Sequence, residues 1–251
     1  MEEIKEKHEE NKTFLEHLGE LRKIVIRSLI VILVLSVIAY FFKKEILSIL
    51  TKPLKKDLVF LSPTEPLIVL INLSIVLGII LAFPYIIFQI WEFISIIFNK
   101  ENKIRITKYI LTSLLLFYGA IIFCYFAILP AVIKLLTEFN GFPLTSSLTL
   151  ENYVNFSVYL LLAFGIIFQF PIIIFALISM NVISLEYIKS KRRYVILIIF
   201  IIAALLPTVD AVSMLLIALP MIILFELTLI IAKLKNIRKT NRANLSNHKQ
   251  E

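Results

Sequence analysis

The chain holds one cysteine, Cys124, and three histidines, His8, His17 and His248, so the side chains that build metal centres and disulfides are nearly missing. A lone thiol inside an apolar run forms neither an internal disulfide nor a cysteine-based metal site. Histidines confined to the terminal segments leave no Ser–His pair and no HExxH helix, and no Walker-type phosphate loop occurs. No catalytic residue, metal ligand or cofactor site is therefore expected, and the chain is no nucleotide-driven pump by itself. Charge is also scarce: 18% of residues are charged, where soluble domains carry about 25%. Residues 1–6 are charged, with no apolar h-region or small-residue cleavage site, which predicts that no leader is removed.

What fills the chain instead is apolar sequence. Of 251 residues, 59% are hydrophobic, and the mean hydropathy is +0.92. That excess predicts an all-α, polytopic integral membrane protein, because only helices and closed barrels satisfy every backbone polar group in lipid. The net charge of +8 does not point to nucleic acid, since the basic residues bracket the apolar runs as orientation signals do.

Six apolar segments are legible, at 24–42, 67–93, 109–129, 153–178, 194–206 and 212–232. A span needs about 20 residues to cross about 30 Å of hydrocarbon. The second and fourth exceed this and should tilt or end at the interface. The fifth is short, reaching only about 20 Å, so length leaves its crossing open. Charge closes the question. Basic clusters occur at Arg22, Lys23 and Arg27, at Lys100, Lys103, Arg105 and Lys108, at Lys189, Lys191, Arg192 and Arg193, and from Lys233 to Arg242. Placing all four in the cytoplasm requires two crossings between neighbours, hence six transmembrane helices, both termini cytoplasmic, and a hairpin at Pro207-Thr208-Val209-Asp210. Lys43, Lys44, Lys52, Lys55 and Lys56 oppose this at the first span, where the local count is close to a tie. The domain reading is a single six-span unit over 1–235, with a cytoplasmic segment at 1–23 and a basic, disordered tail at 236–251.

The N-terminal segment repeats Phe14, Leu18 and Leu21 at helical spacing, with Glu16, Glu20 and Lys23 on the other face. Such a helix lies in the headgroup zone. Outside, residues 43–66 with Pro53, Pro63 and Pro66 read as short helix and extended chain, and 131–136 as a short surface helix ending at an Asn-Gly turn. Inside the spans, Gln169 lies two residues before Pro171; it is either helix–helix glue or a polar patch on a groove. Glu226 is either a mid-span acid facing protein or water, or sits nearer the inner interface. Asp210 is an outer-turn cap. Pro84, Pro130, Pro171, Pro207 and Pro220 bend or end spans, and bent helices enclose a concave scaffold.

In order and spacing these residues resemble the TatC family, the polytopic core of the twin-arginine protein translocase, across residues 12–235. His17-Leu18-Gly19-Glu20-Leu21-Arg22 is similar to its N-terminal HLxELR motif, and Ser62-Pro63-Thr64-Glu65-Pro66 to its SPTEP segment. Pro84, Gln89, Trp91, Phe93, Ile94 and Glu101 resemble the stretch leading into the first inner loop. Phe117-Tyr118-Gly119 resembles the third span, Phe164-Gly165 with Phe168 and Pro171 the FGxxFExP motif, Arg193-Tyr194 the RxY before the fifth span, and Pro220 with Phe225-Glu226 the sixth. Four positions depart: Gln169 replaces a glutamate, Asn102 an arginine, Ser95 a proline, and Pro207-Thr208-Val209-Asp210 a TPPD turn.

The resemblance implies a receptor and scaffold in a bacterial or archaeal cytoplasmic membrane, or an organellar membrane of bacterial origin. It implies binding of Arg-Arg signal peptides on folded proteins through Glu20 and Glu101, with Arg22, His17 and Phe93 beside them. Gln169 and Glu226 would form an intramembrane polar groove; Pro53, Glu65, Pro84 and Asp210 would be structural. Implied partners are single-span subunits of the TatA and TatB type, other copies of the chain and the bilayer, with energy from the proton-motive force. The rival reading is a secondary transporter or channel for a small solute, with Gln169 and Glu226 lining a midplane site. No internal half-repeat supports it.

Overall fold

A computed structural model of the chain describes residues 2–54, 58–59, 61–97, 103–138, 149–179, 182–205 and 211–247. Helices dominate: α1 (Glu2–Phe41), α2 (Lys43–Thr51), α3 (Glu65–Ile97), α4 (Lys103–Phe123), a π turn (Cys124–Ile128), α5 (Leu129–Glu138), α6 (Leu150–Ile167), α7 (Phe170–Ser179), α8 (Leu185–Ser190), α9 (Arg192–Leu205) and α10 (Ala211–Asn247). Among the described residues the only β pairing is a bridge between Val59 and Thr149. Leu29, Ile30, Leu33 and Val37 along α1 are exposed, as suits helices solvated by lipid rather than water.

Five stretches are long and apolar enough to cross a bilayer: Gly19–Phe41, Glu65–Ile94, Thr107–Leu135, Leu150–Ser179 and Met214–Leu234. The fifth apolar segment forms α9, whose 14 residues rise only about 21 Å, the shortfall already visible in the sequence. The third stretch differs from its expected form. Residues 131–136 do not make a separate surface helix but continue the same helix through the π turn. The turn has a cause: the Pro130 ring crowds the carbonyl four residues back, and widening the helix before it relieves that clash. Leu129 N–H accordingly bonds to the Cys124 carbonyl. α10 runs without interruption to Asn247, so the backbone of residues 236–247, read as a disordered tail, is helical here.

Packing divides the chain into two compact units, Met1–Leu114 with Leu148–Asn155, and Leu115–Ser147 with Phe156–Glu251. In the first, α1 lies along α3. They come close at Gly78, where an added Cβ would stand 2.0 Å from Ser36 Oγ and 2.7 Å from its backbone nitrogen. Only glycine admits that distance. In the second, α10 packs against α7 and α9, and α8 leads into α9.

Candidate functional site

Glu20 sits on α1 just inside the first apolar stretch, half-buried. Its Oε2 is shielded from solvent and has no hydrogen-bond partner among the described residues. A buried carboxylate oxygen left this way is costly unless a donor arrives, so the position suits a cation supplied by a guest. Arg22 is exposed two residues along. The side chain of His17 lies outside the described residues, as does Glu101.

The same unit fixes the two helix ends that flank the first inner loop. Trp91 on α3 stacks on Tyr109 of α4, ring centroids 4.9 Å apart and 13° from parallel. Its indole Nε1 donates to Ser113 Oγ at 3.3 Å. Close by on α3, Gln89 Nε2 donates to Tyr85 Oη at 2.7 Å. Phe93 is half-buried beside this clamp. Consecutive crossings run in opposite directions, so from the Ser36–Gly78 contact both Glu20 and Phe93 lie roughly 23 Å toward the same membrane face. Glu20 and the end of α3 therefore share a level, the one at which the sequence predicts Glu20 and Glu101. Tyr109 and Ser113 had no motif to mark them; only the stack reveals their role.

Glu65, read as structural, is a buried cap serving two segments. One carboxylate oxygen accepts from Leu61 N–H at 2.7 Å, and the other from Glu151 N–H at 2.9 Å in the first turn of α6. A carboxylate at a helix N-terminus satisfies an orphan donor and meets the positive end of the dipole. Leu150 N–H bonds to the Val59 carbonyl at 2.9 Å, and Tyr153 Oη donates to the Leu50 carbonyl at 2.8 Å, closing the end of α2. Pro53 follows that cap. Pro84 lies inside α3, which runs through it, and Asp210 lies outside the described residues.

Gln169 marks the break between α6 and α7. Pro171 has no N–H to continue the ladder, and the Gln169 N–H turns to the Ile166 carbonyl at 3.0 Å. The Gly165 carbonyl thereby loses its ordinary donor, and Gln169 Nε2 donates to it instead at 3.3 Å. Gly165 is itself required: an added Cβ would lie 2.6 Å from Phe117 Cε2.

Glu226 is paired with a basic residue. Both its oxygens accept from Arg192 at the head of α9, Nε to Oε1 at 3.1 Å and Nη2 to Oε2. The acid belongs to the level of the third basic cluster, the interfacial alternative left open by the sequence. Arg192, counted there only as an orientation charge, is its partner. A cleft of about 460 Å³ between α7, α9 and α10 is lined by Ile167, Phe168, Phe170, Pro171, Ile174, Val195, Ile198, Ile199, Ile202, Met221, Leu224 and Phe225. Neither Gln169 nor Glu226 lines it. Among the described residues no group of three His, Cys, Asp or Glu side chains is placed to hold a metal.

Residues 16–220 match the family model for the Sec-independent protein translocase protein TatC. The chain is 37% identical over 225 residues to the TatC of Carboxydothermus hydrogenoformans, covering 88% of this chain and 93% of that protein. It is likewise 37% identical over 231 residues to the TatC of Aquifex aeolicus, covering 89% and 96%. A crystal structure of the twin-arginine translocase receptor TatC in DDM superposes with a TM-score of 0.80 at 37% identity, covering 86% of this chain and 99% of that one.

Proposed function

This chain belongs to the TatC family of Sec-independent protein translocase proteins, membrane components of the Tat system, and from that premise we propose that it is the system's signal-peptide receptor and core scaffold. The observation that carries the reading is the shielded, unpartnered oxygen of Glu20 at the level of the first inner loop. A consecutive Arg-Arg pair offers two planar guanidiniums, and Glu20 with Glu101 offers two carboxylates able to take a bidentate fork each. A guest guanidinium that satisfies the shielded Glu20 oxygen removes the cost of leaving it unpaired, and apolar contact with the signal peptide adds to the affinity. Phe93 and the exposed apolar residues of α1 offer such contact. The Trp91–Tyr109 stack holds the helix ends on either side of the loop, which favours a second carboxylate positioned before the peptide arrives.

As family membership implies, single-span subunits and further copies of the chain complete the transient pore, and the proton-motive force drives passage. The apolar lining of the α7–α9–α10 cleft gives the rival solute-transporter reading no polar midplane site among the described residues.

The test is photo-crosslinking of an Arg-Arg signal peptide to membranes carrying Glu20→Lys or Glu101→Lys. Each reversal should abolish crosslinking while the protein stays inserted, and the Asp substitutions should be milder. A Lys-Lys peptide should fail against the parent chain. Normal export of a folded substrate by both reversals would overturn the assignment.

A further inference from the structure

The motif Arg193-Tyr194, which the proposed signal-peptide site does not use, directly precedes Val195, the first α9 residue to line the apolar cleft. Val195, Ile198 and Ile202 share one face of α9 and line the cleft, and Lys191 stands directly before the helix, its carbonyl accepting from Tyr194 N–H at 2.9 Å and Val195 N–H at 3.3 Å. Tyr194, one turn before Ile198, gathers two charges: Lys191 Nζ is 5.3 Å and Arg193 Cζ 5.0 Å from its ring centroid. Arg193 Nη2 also donates to Tyr194 Oη at 3.3 Å. Arg192 is neutralised by Glu226. Lys191 and Arg193 are exposed and have no ion pair among the described residues; Lys189 adds a third exposed cation one turn before Arg193.

We propose that the α7–α9–α10 cleft seats one anionic phospholipid, its phosphate held by Lys191 and Arg193 beside Tyr194 and one acyl chain lying in the cleft. Charge complementarity selects this occupant. A zwitterionic lipid brings no net charge to the two cations, and a wholly apolar helix brings none. The dimensions agree: Arg192 to Ile202 rises about 15 Å along α9, close to one leaflet, half of about 30 Å. The cleft is lined by aliphatic and aromatic side chains that offer water nothing to bond. An aromatic ring at headgroup level with basic neighbours is the chemistry that anionic headgroups meet.

The test uses the full chain, purified and delipidated, with native mass spectrometry in equal amounts of phosphatidylglycerol and phosphatidylcholine of identical acyl chains. The parent should retain phosphatidylglycerol preferentially. Lys191→Gln with Arg193→Gln should lower that retention about thirtyfold, the scale expected for two cations near an anionic headgroup. Lys191→Arg with Arg193→Lys should keep it, and Lys44→Gln with Lys52→Gln, which removes the same charge elsewhere, should leave it unchanged. Ile198→Trp, which fills the cleft, should lower retention with both cations intact. Millimolar glycerol phosphate should not displace the lipid, because a free phosphate lacks the chain. Equal retention of the two lipids by the parent would overturn the proposal, as would equal loss in the Lys44/Lys52 control or full retention in Ile198→Trp.

Discussion

Gln169 supplies from its side chain the hydrogen bond that its own backbone gives up: its N–H turns to Ile166, and its amide nitrogen donates to the Gly165 carbonyl at 3.3 Å. A neutral amide always carries that donor, whereas a carboxyl carries it only when protonated. Gln169→Leu should therefore destabilise modestly, by about 0.6 kcal/mol if the bond is typical of membrane helices. Gln169→Glu should be tolerated in acidic buffer and lose thermal stability as the buffer turns alkaline, while the parent stays level. Thermal unfolding in detergent across pH decides between this role and a passive one.

The two close-packed glycines should respond differently to rescue. At Gly165 the obstacle is the edge of the Phe117 ring, 2.6 Å from an added Cβ, so Gly165→Ala should cost about 1–3 kcal/mol and be largely restored by Phe117→Leu. At Gly78 the obstacle includes the Ser36 backbone nitrogen and Cα at 2.7 and 2.8 Å, so Ser36→Ala should not rescue Gly78→Ala. Melting temperatures of the four single and two double variants test the contrast.

Much of this was legible in the residues, and the limits have physical reasons. The apolar runs declared the spans, because lipid leaves the backbone no choice but helix. Pro171 announced a break near Gln169. The partner of Gln169 stayed hidden, because a side chain bonding within its own turn leaves no pattern in sequence. Glu226 illustrates the opposite limit. Hydropathy placed it within a span, but an arginine 34 positions earlier meets it, and no local periodicity encodes a pairing at that separation. The third span was cut at Pro130, because proline usually ends a helix, whereas here one π turn absorbs it.

Breaking the Arg192–Glu226 fork should loosen α9 from α10. Arg192→Glu alone sets two carboxylates together and should lower the melting temperature; Arg192→Glu with Glu226→Arg should recover most of the loss. Arg192→Lys should fall below the parent, since an ammonium cannot make the two-pronged contact. Arg192→Cys combined with Glu226→Cys, in a Cys124→Ala background, should crosslink with a short thiol reagent and so checks the proximity.

Glu65→Gln should free the first turn of α6, because an amide presents only one acceptor oxygen to the Leu61 and Glu151 donors. The expected outcome is faster protease cleavage around residues 58–64, with little change at α9. Glu65→Ala should be worse, and equal cleavage in all three proteins would remove the cap from the account.

The short α9 carries the topology, because its 14 residues are fewer than a crossing ordinarily needs. Charge still requires it to cross: Lys189 to Arg193 stand at its head and Lys233 to Arg242 lie on the C-terminal turns of α10, and both clusters sit inside only if α9 and the apolar part of α10 form a hairpin. A short span is accommodated by local thinning of the bilayer and by flanking cations reaching to the headgroups. Single cysteines near Asn102, Ser190 and Asn241, in a Cys124→Ala background, should label from the cytoplasmic side only. Those near Lys55, Gly141 and Thr208 should label only from outside. Labelling of positions 190 and 208 from the same side would show that α9 does not cross, leaving five spans and an outward-facing C-terminus.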